Sequence, residues 1–203
     1  TLFSLFPLSH SVGSGNFKKL LKWMAGVAKR LDISSNGVRI AVLQYSSRTN
    51  VEWKLADGSD AATIQSKISA ITYRGGGTRT GRAIDYAMAN MWDGARSGVP
   101  RVMITVTDGR SYDSSTETPL LASNRAKAWR GTKGEKVTMY AIGVARAVLS
   151  QLNEISSDPD DKYVVFFFLL LLAALFFDFS YNATLPSLSA HFVRFPCTLF
   201  TFH

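Results

Sequence analysis

Three nearly continuous apolar runs constrain this chain more than any other feature: Val38 to Tyr45 (VRIAVLQY), Val102 to Val106 (VMITV) and Val137 to Val144 (VTMYAIGV). A strand of this kind has no face to give to water and must be covered on both sides. The segments between them have helical spacing. Phe17, Leu20, Leu21, Met24, Val27, Ala28 and Leu31 predict an amphipathic helix from about Ser14 to Leu31, with Lys18, Lys19, Lys22, Lys29 and Arg30 mainly on its other face. Val51 to Leu55 reads as a short partner strand. Ile64, Ile68 and Ile71 mark a second helix, Thr80 to Trp92 a third, Leu120 to Trp129 a fourth, and Leu149, Leu152 and Ile155 a fifth. Tyr163 to Phe166 starts a last strand. Strands alternating with helices predict the α/β class: a doubly wound, mostly parallel sheet with helices on both faces.

At 203 residues and 46% hydrophobic, the chain suits one domain with a sizeable core and a tail. The net charge is +8, and Arg194 and Asp178 are the only charged residues beyond residue 162 apart from histidines. The basic excess therefore belongs to the domain. Such an excess attracts polyanions or simply maintains solubility. Zinc-finger spacing, basic heptads and aromatic RNA-binding signatures are absent from the sequence, so nucleic acid is not an expected partner. Cys197 is the only cysteine, which excludes an intramolecular disulfide and a cysteine-rich zinc site. With no start methionine or leader pattern at Thr1, the expectation is a fragment of a longer protein.

Open α/β sheets bind ligands beyond the carboxyl ends of their strands. Asp108 directly follows a buried strand and precedes Gly109. Ser9 and Ser11 stand just before the first helix, and Thr78 follows Gly75-Gly76-Gly77, where the backbone can approach closely. Hydroxyls and a carboxylate, without imidazole or thiolate, suit a hard cation such as Mg²⁺. Each piece also has a plainer use. The serines can cap the first helix, and Asp108 can serve a turn with Gly109. GGGTRTG lacks the spacing of a phosphate loop.

Five segments in register resemble the von Willebrand factor type A domain: SHSVGSGNF (9–17), VRIAVLQYSS (38–47), GGGTRTGRAI (75–84), VPRVMITVTDGRSYD (99–113) and VTMYAIGVA (137–145). The tone is similar to extracellular members such as matrilins, collagen-associated A domains and von Willebrand factor itself. The resemblance implies a Rossmann-like fold and a non-catalytic, secreted adhesion module of the extracellular matrix. It also implies a Mg²⁺-dependent adhesion site, completed by an acidic residue of a matrix or cell-surface protein, with collagen among the expected partners. Ser9, Ser11, Thr78 and Asp108 match its ligand positions. The family's first aspartate does not carry over, because Pro7 stands there. One of two carboxylates is thus missing, and weak or absent Mg²⁺ binding is expected.

Two other functions compete. A metal-independent basic surface on Lys18, Lys22 and Lys29 would bind a glycosaminoglycan or an acidic protein. A membrane-anchored receptor fragment would use residues 164–177, but fourteen apolar residues reach only about 21 Å as a helix, short of a bilayer span, so a membrane role is not expected. An enzyme is not expected: Ser9-His10 are mere sequence neighbours, and there is no nucleophile elbow. Trp23, Trp53, Trp92 and Trp129 read as core or rim packing.

The expected organisation is an atypical segment at 1–8 in place of the first strand, the A domain at 9–166, and an atypical hydrophobic tail at 167–203. Leu, Phe, Ser and Pro share pyrimidine-rich codons, so an intron boundary translated as protein would produce such ends. Asn182-Ala183-Thr184 is a glycosylation sequon, meaningful for a secreted chain.

Overall fold

The doubly buried runs form neighbouring strands of one sheet. The computed structural model describes residues 2–7, 12–57 and 60–166. Among them six strands pair: β1 (Leu2–Pro7), β2 (Ile40–Tyr45), β3 (Thr49–Trp53), β4 (Arg101–Thr107), β5 (Val137–Gly143) and β6 (Val164–Phe166). Their spatial order is β3-β2-β1-β4-β5-β6. All neighbours run parallel except β2 and β3, which form an antiparallel hairpin. The chain steps outward from β1 to β2 and β3, then returns to β4 on the opposite side of β1. The carboxyl ends of β1 and β4 therefore flank the point where strand order reverses, the place where such sheets open a crevice.

Helices α1 (Gly13–Lys29) and α2 (Ala61–Ala70) cover one face, while α3 (Thr80–Asn90), α4 (Pro119–Ala128) and α5 (Leu149–Ile155) cover the other. A single turn, α6 (Asp160–Tyr163), leads into β6. Alternation along β2 explains its unbroken apolar run. Ile40 and Val42 pack with Phe17, Leu20 and Met24 of α1, whereas Ala41, Leu43 and Tyr45 pack with Ala83, Ile84 and Ala87 of α3. β4 divides likewise, with Val102 and Val106 on the α1 side and Met103 on the α3 side.

Residues 1–8 were expected as an atypical segment standing in place of the first strand. Leu2–Pro7 pairs over six positions with β2, from Leu2 opposite Ile40 to Pro7 opposite Tyr45, and over four positions with β4. A boundary drawn at residue 9 would thus cut through the middle of the sheet. β3 starts two residues before its expected place, because Trp53 pairs with Val42 and donates its indole N–H to Ile40 O at 2.9 Å, and a 3₁₀ turn takes Leu55–Asp57. Of the apolar run at 164–177, Val164–Phe166 is β6 and the remainder lies outside the described residues, as does the expected tail. No helix among the described residues is long and apolar enough to cross a membrane.

The amino-terminal edge of the sheet is closed by side chains. The Arg101 guanidinium lies between the rings of Trp92 and Trp129, at 5.1 and 4.1 Å from their centroids. Arg96 donates to Asn36 O at 2.6 Å, and Arg39 to Gly94 O at 2.7 Å. Glu135 accepts the amides of Gly98 at 2.5 Å and Lys133 at 2.9 Å. These bonds, led by the one from Gly98, hold its carboxyl well below its ordinary value of 4.5, at about 2. A carboxyl depressed on folding stabilises the fold above its unfolded pKa, and the effect is lost as pH falls through the folded value. Glu135→Gln should therefore lower the melting temperature at neutral pH, and the gap to the parent should close between pH 4.5 and about 2. Thermal melts followed by circular dichroism across that range check this.

Candidate functional site

Three loops meet at the carboxyl edge. Beyond β2, Ser46 and Ser47 support the glycine run that crosses from α2 to α3. Gly75 and Gly76 hold φ of 63° and 128°, left-handed conformations that favour glycine. A Cβ on Gly76 would fall 2.7 Å from Ser46 Oγ, so the run lies directly on the β2 exit. Gly77 donates its amide to Ser47 Oγ at 3.1 Å, and Arg79 donates its own to Ser46 O at 3.2 Å. On the β4 side, Thr78 O accepts the Tyr112 amide at 2.7 Å, with Ser111 Oγ 3.3 Å away. Thr78 is 4% exposed, and Asp108, immediately after β4, is fully buried. The crossing loop therefore ties the exits of β2 and β4 together at the switch point.

Helix α3 begins here without a capping side chain of its own. The 108–113 loop supplies one. Asp113 accepts the amides of Gly81 at 2.7 Å and Arg82 at 3.1 Å, and Ser111 Oγ accepts that of Thr80 at 2.9 Å while donating to Asp113. A carboxylate on free amides at the positive end of a helix is a charge-assisted contact. Below it, the buried Tyr45 hydroxyl donates to Val106 O at 2.6 Å and lies 3.3 Å from Thr80 Oγ1. Burial pushes the phenol far above its ordinary range, so it remains a neutral donor joining β2, α3 and β4. From α5, the Gln151 amide, oriented to suit its neighbours, donates to Gly109 O at 2.7 Å and accepts from Ser111 N at 3.2 Å.

Of the four sequence-selected ligands, Thr78 and Asp108 stand on hydrogen-bonded loops of this edge. Ser9 and Ser11 lie outside the described residues; they follow Pro7, the last residue of β1, which is paired with Tyr45. Lys18, Lys22 and Lys29 are exposed along α1, on the flank of the domain rather than at this edge. Ser111, Asp113 and Tyr45 were not foreseen. The caps come from residues more than thirty positions away, so no local capping pattern could reveal them.

The donor set fits Mg²⁺ only in part. Thr78 and Asp108 offer the hydroxyl and carboxylate oxygens that a hard cation prefers. The exit of β1, beside them in the sheet, ends in Pro7, which has no donor atom in its side chain. Thr78 and Asp108 together bring one carboxylate, a single negative charge toward a divalent ion.

The von Willebrand factor type A domain family model matches residues 5–169. The chain is 33% identical over 162 residues to matrilin-2 of Mus musculus, covering 77% of this chain and 16% of that protein. It is 32% identical over 159 residues to the collagen alpha-1(XII) chain of Notophthalmus viridescens, with 77% and 16% covered, and 34% identical over 151 residues to vitrin of Homo sapiens, with 74% and 21% covered. The chain thus spans about a fifth or less of the length of these curated relatives. A similar solved structure is proximal thread matrix protein 1 from the mussel byssus with a zinc-occupied MIDAS motif. Its TM-score is 0.70 at 24% identity, with 81% of this chain and 40% of that one covered, a likeness of fold. With its parallel sheet, its edge site and this match over most of its length, the chain belongs to the von Willebrand factor type A domain family.

Proposed function

We propose that the domain is a non-catalytic adhesion module of a secreted, extracellular matrix protein, which recognises a protein ligand at the carboxyl edge of its sheet. Ser9, Ser11, Thr78 and Asp108 form the centre of that site. The observation that carries the reading is the crossing loop, which binds the exits of β2 and β4 into one surface holding Thr78 and Asp108. The relatives named as a matrilin and a collagen chain support a matrix setting, and collagen is one protein class to test as partner.

Pro7 makes Mg²⁺ an optional, weakly held component. In calorimetric titrations the chain should lack micromolar Mg²⁺ affinity. Pro7→Asp, which restores the second carboxylate, should raise the affinity by at least about tenfold. Micromolar affinity in the unaltered chain would contradict this reading of the donor set.

A second reading concerns the flank. Helix α1 contains no acidic residue, and among the described residues its exposed Lys18, Lys22 and Lys29 form no ion pair. The three recur on one side of the helix, as a track for a linear sulfated glycan requires. Retention on heparin should fall with salt, ignore EDTA, and shift to clearly lower salt in Lys18→Gln/Lys22→Gln/Lys29→Gln.

A further inference from the structure

Apart from Arg30 and Arg74, the arginines among the described residues fall into two populations, engaged and unengaged. At the amino-terminal edge, Arg39, Arg96 and Arg130 donate to backbone carbonyls, and Arg101 is stacked between two tryptophans. On the α3–α4 flank, Arg125 forms an ion pair with Asp85 at 2.5 Å. At the carboxyl edge, Arg48, Arg79, Arg82, Arg110 and Arg146 are all exposed. Among the described residues, none of these five side chains donates a hydrogen bond or forms an ion pair.

The five belong to one contiguous surface. Ser46 donates its amide to Arg48 O at 2.8 Å and accepts that of Arg79, and the Arg82 amide is held by Asp113. A Cβ on Gly109, the neighbour of Arg110, would lie 4.0 Å from Arg146 O. Ala145 turns the chain just before Arg146 with φ of 52°, a left-handed conformation uncommon for alanine. Acidic groups balance this charge only in part. Asp108 is buried, Asp113 is engaged by helix amides, and Glu117 accepts the Ser114 hydroxyl at 3.1 Å. Residues 8–11 are Leu-Ser-His-Ser and add no acid.

We infer that this edge takes an acidic peptide segment of a protein partner directly on its arginines, without a bridging cation. The inference rests on the proposed placement of recognition at this edge and replaces the ion there by guanidinium groups. The same five charges that draw carboxylates oppose the approach of Mg²⁺. These loops carry arginine and no lysine, in contrast to α1. A guanidinium presents a planar fork that matches a carboxylate bidentately, whereas lysine acts as a point charge. The crossing loop adds glycine backbone that a peptide can approach closely.

Fluorescence anisotropy of a labelled poly-glutamate peptide on the full chain tests this. Saturable binding should be unchanged by EDTA, weaken as salt rises, and fall at least about tenfold in Arg79→Gln/Arg110→Gln. Arg79→Lys/Arg110→Lys, which keeps the charge and removes the fork, should be intermediate. Lys18→Gln/Lys22→Gln/Lys29→Gln, with more charge removed, should change affinity by less than about twofold. Binding abolished by EDTA would overturn the arginine inference and leave recognition at the edge intact. Loss with the lysine variant and not the arginine variant would overturn both. No binding, or tighter binding of a heparin fragment that is lost in the arginine variant, would overturn the acidic-peptide assignment.

Discussion

Everything at the carboxyl edge depends on the parallel pairing of β1 with β2 on one side and β4 on the other. A strand at the switch point fixes two things at once. It sets the register in which the exits of β2 and β4 stand beside each other, and it determines which residue of its own occupies the exit between them. Here that residue is Pro7. Proline is tolerated because it closes the strand rather than standing in its interior, where a missing N–H would break the ladder. The fold thereby retains its crevice, with no donor atom in the side chain at the exit of β1.

The two ends of the sheet are built to different standards. At the amino-terminal edge, guanidinium groups are stacked or bonded to carbonyls, and Glu135 is held by amides. At the carboxyl edge the amides that open α3 and the carbonyl of the crossing loop are bonded too, but by neutral hydroxyls, backbone and the carboxylate of Asp113. The arginines are surplus to that network. An edge with a rigid frame and uncommitted charge is suited to recognition, because the frame is already ordered before a partner arrives.

Much of the fold could be read from residue patterns for a physical reason. β2, β4 and β5 are buried on both faces, so their apolar runs are nearly continuous, and α1 has its lysines opposite its apolar stripe. Thr78 and Asp108 stood out because a glycine run and a strand end are local features. Leu2–Pro7 read as foreign because it is short and unlike the family's strand, whereas its place is set by pairing with residues some 40 and 100 positions away. The cap of α3 by Ser111 and Asp113 and the division of the arginines into bonded and exposed sets were equally hidden. Composition gives a net charge of +8, and only the packed chain reveals where that charge is neutralised.

The central claim is that LFSLFP (Leu2–Pro7) forms an inner strand of the sheet and so brings Pro7 to the carboxyl edge. Amide hydrogen exchange tests it most directly. The account predicts that the amides of Phe3 to Phe6 exchange only through global unfolding, with protection equal to that of β2 and β4, as a strand bonded on both sides requires. Exchange of those amides at the rate of an unstructured peptide, while β2 and β4 remain protected, would contradict it.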